Sequence, residues 1–334
     1  MKKEIDFYGF GTIQNQEIMI VNHCIVECSA KKLSKDLIIR NVKEIKDKQD
    51  NSIINTLMKM HKRLCANMKD VRPVWIELCT ERVNKVKRNN TILSISIEKT
   101  VNNKRSSYPI GVSLGGINNI ADIYNTVEYI NEMQIEEAEL SDRKILLTPY
   151  AAGIILHELI GHLREYDNSQ IYTKVENAKI IDSPKGIIDY TYDDNGVMGH
   201  SVNLIDYNLS SATGNTFLGI NEKRQIESLI RQRNLIMSFD STEMQRSTRE
   251  SPIMPVYRAG FSKKNNCIQI ITSINGVIRK LSIPSKEIES LRAINGITLE
   301  MVGICHKHGC PHYFGIKTPW AEMTMERKVE EYQV

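Results

Sequence analysis

His157, Glu158 and His162 stand in an apolar stretch, Ile154-Ile155-Leu156-His157-Glu158-Leu159-Ile160-Gly161-His162, in the pattern His-Glu-x-x-x-His. Two neutral imidazoles can hold a zinc ion, and a carboxylate beside them can take a proton from a water that the ion binds. Spacing decides whether they act together. On a regular helix, residues four apart share a face and residues five apart diverge by about 140°. Here the pair four apart is Glu158 and His162. Both imidazoles reach one ion only if the helix carries an inserted residue, and Gly161 marks a place where a π-bulge would fit. The plain alternative is a core helix whose histidines are satisfied by hydrogen bonds.

A catalytic zinc takes three protein ligands and keeps a fourth position open. The later run Cys305-His306-Lys307-His308-Gly309-Cys310-Pro311-His312 offers five possible ligands within eight residues. In one reading this run is a structural site of its own. In the other, Cys305 at the end of a strand completes the site begun by His157 and His162. One short turn wraps a tetrahedron poorly, which favours the second reading. Asp167 is a candidate to orient a ligand histidine. No oxyanion donor is identifiable: Arg249, Tyr257 and His200 are the candidates, and each is better read as structural. His23, Cys24 and Cys28 alternate within a strand-like segment and read as ordinary half-buried residues. Gly111, Gly115 and Gly116 lack the spacing of a phosphate-binding loop.

The motif needs a scaffold. Ile145-Leu146-Leu147 reads as a buried strand, and Thr148-Pro149 as a helix start, threonine capping and proline at the first helical position. Upstream, Glu17–Val21 and Cys24–Cys28 suggest a hairpin turning at Asn22-His23, followed by a strand at Leu37-Ile38-Ile39. A helix capped by Ser52 shows Ile53, Leu57, Met60, Leu64 and Met68 on one face. Leu93, Ile95 and Ile97 alternate in a strand that turns at Asn102-Asn103, and Ile120, Ile123, Val127 and Ile130 mark a further helix. Past Asp167 the pattern predicts a hairpin about Asp193-Asp194-Asn195-Gly196 and an amphipathic helix over 221–238. Two more hairpins follow, one about Asn275-Gly276 and one joining Leu299–Ile304 to Tyr313–Lys317. The expected fold is α+β. A small N-terminal α/β domain (1–90) precedes a catalytic domain (91–334) built on a large curved antiparallel sheet, with the metal helix 149–167 between them.

Composition excludes several classes. Apolar content of 41% and charged content of 25% are those of an ordinary globular protein, and a net charge of +4 is too mild to argue for nucleic acid. No apolar run approaches the ~18 residues that span a bilayer. The first residues lack the apolar core of a signal peptide. Seven cysteines at irregular spacing do not read as a disulfide framework, so a reducing cytoplasm is the expected location.

Five landmarks together resemble the TldD/PmbA (TldD/TldE) metallopeptidase family. They are Ile145-Leu146-Leu147-Thr148-Pro149 followed by Gly153; the helix from His157 to Asp167; the Asp193-Asp194-Asn195-Gly196 turn; Arg249-Glu250-Ser251 running on to Pro255; and Gly303-Ile304-Cys305. The resemblance covers about residues 90–323, with a weaker echo over 17–39. It implies a Zn2+ held by His157, His162 and Cys305, with Glu158 as the catalytic carboxylate. It further implies cleavage of unfolded peptides bound in extended form, such as leader segments of precursor peptides. The implied partner is a TldE/PmbA-like subunit without the metal motif, or a second copy of the chain. Relative to that family, the N-terminal domain is expected to be shortened, and the turn after Cys305 is richer in histidine and cysteine. Two rival functions remain: a hydrolase with Cys305 as nucleophile and His157 as base, and a non-catalytic peptide-binding or scaffold protein.

Overall fold

The computed structural model describes residues 2–13, 16–29, 32–33, 38–41, 48–68, 70–101, 104–114, 120–132, 143–165, 171–211, 213–220, 226–239, 253–254, 256–262, 264–274, 277–294, 298–305 and 312–332. The fold is α+β and mostly sheet. Its first part is an antiparallel sheet in which Lys2–Ile13 pairs with both Gln16–Ser29 and Val71–Val83. Val71–Val83 in turn pairs with Arg88–Val101, and that strand with Lys104–Ser113. Apolar residues at every second position decide which face is covered: Leu93, Ile95 and Ile97 are buried under the helices Lys48–Asn67 and Ile120–Glu132. Those helices contribute Leu57, Leu64, Ile123 and Val127, each side chain stabilising by about 1.5–3 kcal/mol when fully buried.

Two local expectations need correction here. Asn22-His23 is no turn. Both residues lie inside the continuous strand Gln16–Ser29, opposite Phe7 and Asp6, because the long strand Lys2–Ile13 offers an unbroken hydrogen-bonding edge. Ser52 is no cap either, since the helix begins at Lys48. The strand Gln16–Ser29 also holds His23, Cys24 and Cys28. Gly111 lies in the strand Lys104–Ser113, while Asn102, Asn103, Gly115 and Gly116 fall outside the described residues. Position 90 lies near the start of Arg88–Val101, which pairs with Val71–Val83 and Lys104–Ser113 in this sheet.

The rest of the described chain divides among four sheets. One has the order Val202–Asn203, Ala178–Ser183, Asn234–Phe239, His312–Thr318, Leu299–Cys305. A second has the order Ile253–Met254, Lys144–Leu147, Ala321–Met325, Ile288–Ala293, Lys174–Glu176. Val256–Ser262, Cys267–Ile274 and Val277–Pro284 form a third, and Thr216–Ile220 with Ile226–Ile230 a fourth. The hairpins Cys267–Ile274 with Val277–Pro284 and Leu299–Cys305 with His312–Thr318 are present as the pattern predicts. The amphipathic helix over 221–238 is not. Its described residues form the strands Ile226–Ile230 and Asn234–Phe239, paired to different sheets. About Asp193-Asp194-Asn195-Gly196 the turn forms without long strands: Asp193 Oδ1 accepts from the N–H groups of Asn195 and Val197, Gly196 has φ 85°, and a single bridge joins Tyr192 to Met198.

The helix Pro149–Leu156 is apolar on every side and buried, which a helix sandwiched between layers must be. Ala151, Ala152, Ile155 and Leu156 share one core with Leu235, Phe314 and Ile316 on one sheet and Ile145, Leu147 and Met323 on another. Gly153 sits against Ile316 so closely that a Cβ would collide with its side chain. No helix among the described residues is long and apolar enough to cross a membrane.

Candidate metal centre

The motif helix starts as the strand Lys144–Leu147 ends. Thr148 Oγ1 accepts from the N–H of Ala151 at 3.2 Å, and Pro149 takes the first position, where its missing N–H is no loss. Regular α-helix runs to Leu156. From His157 to Gly161 the chain is a π-turn, the N–H of His162 reaching back to the carbonyl of His157. Regular helix then resumes over His162–Arg164. The extra residue is thus absorbed where the five-residue spacing and Gly161 predict it.

That turn puts both imidazoles on one side, with ring centroids 4.4 Å apart. Cys305, at the end of Leu299–Cys305, places Sγ 3.6 Å from His162 Nε2. One nitrogen from each histidine and Sγ all lie within 4.8 Å of one another, and all three residues are buried. Glu158 faces the same point: Oε1 is 3.9 Å from His157 Nε2 and Oε2 is 3.8 Å from His162 Nε2.

The outer nitrogens are occupied. His157 Nδ1–H donates to Gln232 Oε1 at 2.8 Å, and His162 Nδ1–H to Glu165 Oε2 at 3.0 Å. These bonds leave both Nε2 atoms with lone pairs aimed inward, the tautomer a metal ligand needs. Burial, and then the nearby His162, holds the pKa of His157 well below the usual histidine range, so its ring is neutral. Phe314 stacks flat on the same ring. Arg231 Nη1 approaches Cys305 Sγ at 3.7 Å, setting a guanidinium beside the thiol.

The donor set fits zinc. Two imidazole nitrogens and one sulfur are ligands this ion prefers. Bond lengths of about 2.05 Å and 2.3 Å in a tetrahedron would separate nitrogen and sulfur by about 3.6 Å, the distance found between His162 and Cys305.

Other nominated residues fall elsewhere. His312 turns to the protein, its Nε2–H donating to the carbonyl of Gln232 at 2.6 Å, while burial, then Arg231 and Lys3, lowers its pKa to about 3. His200 is exposed, and its carbonyl accepts from Arg233 Nη2 at 2.7 Å. Tyr257 lies in Val256–Ser262. Asp167, Arg249, His306, His308 and Cys310 lie outside the described residues. The orienting carboxylate that is described is Glu165, legible in hindsight from its place three residues after His162. Gln232 and Arg231 carry no such local signal.

No family model matches the chain. A zinc metalloprotease TldD homolog from Saccharolobus solfataricus is 26% identical over 222 residues, a similarity covering 54% of this chain and 50% of that protein. The chain therefore spans about half the length of the curated relative it matches.

Proposed function

We propose that this chain is a zinc metallopeptidase that hydrolyses amide bonds in unfolded peptides. The observation that carries the reading is the convergence of His157, His162 and Cys305 from distant parts of the chain, with the Glu158 carboxylate within 3.9 Å of both inward nitrogens. The similarity to a zinc metalloprotease supports it.

His157 Nε2, His162 Nε2 and Cys305 Sγ would hold the ion. Bound there, zinc would acidify a water and polarise a peptide carbonyl. Glu158 takes up the proton at a carboxylate oxygen and delivers it to the nitrogen of the departing amine. Gln232 and Glu165 hold the two rings through this transfer, so that no reorientation accompanies the reaction. A substrate in extended form would be read mainly through its backbone, which suits trimming of leader or precursor peptides of varied sequence. A TldE-like subunit, or a second copy of the chain, belongs to this proposal as the partner.

The test is peptide cleavage by the wild type and by Glu158→Gln, with zinc content measured for both, alone and with a TldE-like subunit. The variant should keep its zinc and lose about 10²–10⁴-fold in rate. Undiminished cleavage would remove the mechanism, and a full complement of zinc with no cleavage of any peptide would favour a binding protein. The 3.6 Å approach of Cys305 to His162 also suits a thiolate–imidazole pair. Loss of activity to iodoacetamide but not to chelators would select that reading.

A further inference from the structure

The sequence pattern places Gln232 in a helix over 221–238 and gives it no role, yet it makes three contacts on which the centre depends. Its Oε1 accepts from His157 Nδ1 at 2.8 Å, and its Nε2 donates to the backbone carbonyl of His157 at 3.4 Å. Its own carbonyl is held by His312 Nε2–H at 2.6 Å. One side-chain amide thus grips both the ring and the backbone of the same residue. That backbone carbonyl is the one that accepts the long-range N–H of the π-turn. The amide reaches it only because residue 161 has no side chain: a Cβ on Gly161 would occupy the position of the Gln232 amide. Gln232 is 1% exposed and so has no access to alternative partners in water.

From this geometry we infer that Gln232 is the positioning residue of the metal centre: it selects the His157 tautomer and holds the π-turn open, and Gly161 supplies the clearance it needs. The inference rests on the zinc reading of His157, His162 and Cys305. Only an amide satisfies both contacts. A carboxylate at 232 would still accept from Nδ1 but would face the His157 carbonyl with an acceptor, and an alkyl group would do neither. Positioning partners of this kind change metal affinity by about 10–100-fold when removed.

The experiment measures zinc affinity by competition with a chromophoric chelator, and the visible spectrum of the cobalt-substituted protein, for wild type, Gln232→Leu, Gln232→Glu, Gln232→Ala, Gly161→Ala and the Gly161→Ala/Gln232→Ala pair. Circular dichroism checks that each is folded. Gln232→Leu should lose about 10–100-fold in zinc affinity, with an altered cobalt spectrum, and Gln232→Glu, which keeps the Nδ1 contact but not the carbonyl contact, should fall between Leu and wild type. Gly161→Ala should lose affinity in the wild-type background and little more when Gln232 is already Ala, because the collision is then gone. Folded Gln232→Leu with wild-type affinity and spectrum would overturn the inference. So would a Glu variant with wild-type affinity and spectrum, or fully additive losses in the double variant. If the wild type itself takes neither zinc nor cobalt, the metal-centre reading fails first, which is a different result from failure of the Gln232 variants alone.

Discussion

The imidazole of His157 lies flat on the ring of Phe314, the planes 9° apart and the centroids 3.8 Å apart. Phe314 sits on the strand His312–Thr318, across from Gly303, where a Cβ would strike the aromatic ring. A candidate metal ligand is thereby wedged against the same sheet that delivers Cys305. Phe314→Ala should destabilise the metal-free protein by about 3–5 kcal/mol, from lost burial plus the cavity left behind. Urea unfolding in the presence of chelator checks this. A loss under about 1 kcal/mol would mean that the core closes over the gap.

Under the zinc reading, Cys305 is the third ligand. Cys305→Ser should bind zinc at a small fraction of the wild-type stoichiometry, while Cys310→Ser should bind it fully. Metal analysis after dialysis decides between them, and equal losses would point to a shared or different ligand set.

A second buried network joins the first sheet to the Asp193-Asp194-Asn195-Gly196 turn. Lys3 Nζ is 2.8 Å from Glu81 Oε2 and 3.6 Å from Asp194 Oδ2, and Arg88 binds both carboxylates while lying over the rings of Tyr190 and Phe217. Burial alone would raise the pKa of Glu81, but Lys3 and Arg88 together outweigh it and hold the carboxyl well below the usual range. Arg88→Met would leave two buried carboxylates to share Lys3 as their cation, and a loss of about 3–5 kcal/mol is expected in chemical denaturation. A change of less than about 1 kcal/mol would show the cluster to be hydrated.

Glu77 gives a pH test. Burial raises its pKa above 4.5, partly offset by hydrogen bonds from Trp75 Nε1–H and the Ser94 hydroxyl, each 2.9 Å. For a carboxyl whose folded pKa is raised, stability is whole below the unfolded value and falls as pH rises through the folded one. Glu77→Gln can accept from Trp75 and donate to the Ser94 oxygen. It should therefore be more stable than wild type at neutral pH, with the advantage shrinking as pH falls through the raised folded value and constant below about pH 4.5. An unfolding free energy difference that does not vary with pH would refute this.

Where the sequence reading worked, short-range rules governed the outcome. Thr148-Pro149 set the helix start, the His157–His162 spacing with Gly161 set the π-turn, and alternating apolar residues set the hairpin strand ending at Cys305. It failed over 226–239, where helix-forming residues with charged neighbours belong to two strands. Between those strands, Arg231, Gln232 and Arg233 are all buried, because each finds a partner distant in sequence: Cys305, His157 and Asp182. Patterning assumes that charged residues face water, and no local rule announces such partners. Lys3 and Asp194 escaped for the same reason.

The π-turn also works as a phase adjuster. Upstream of it, the helix is oriented by Gly153 against Ile316; downstream, Arg164 is fixed by bonds to the carbonyls of Leu204 and Ile205 and to Asn208. One in-frame deletion between the histidines would give them the commoner four-residue spacing, but it would rotate one half against the other by about 100°. The two docking alignments could not then both be kept, so the length of this stretch of helix is set by the walls on either side of it as much as by any ion between the rings.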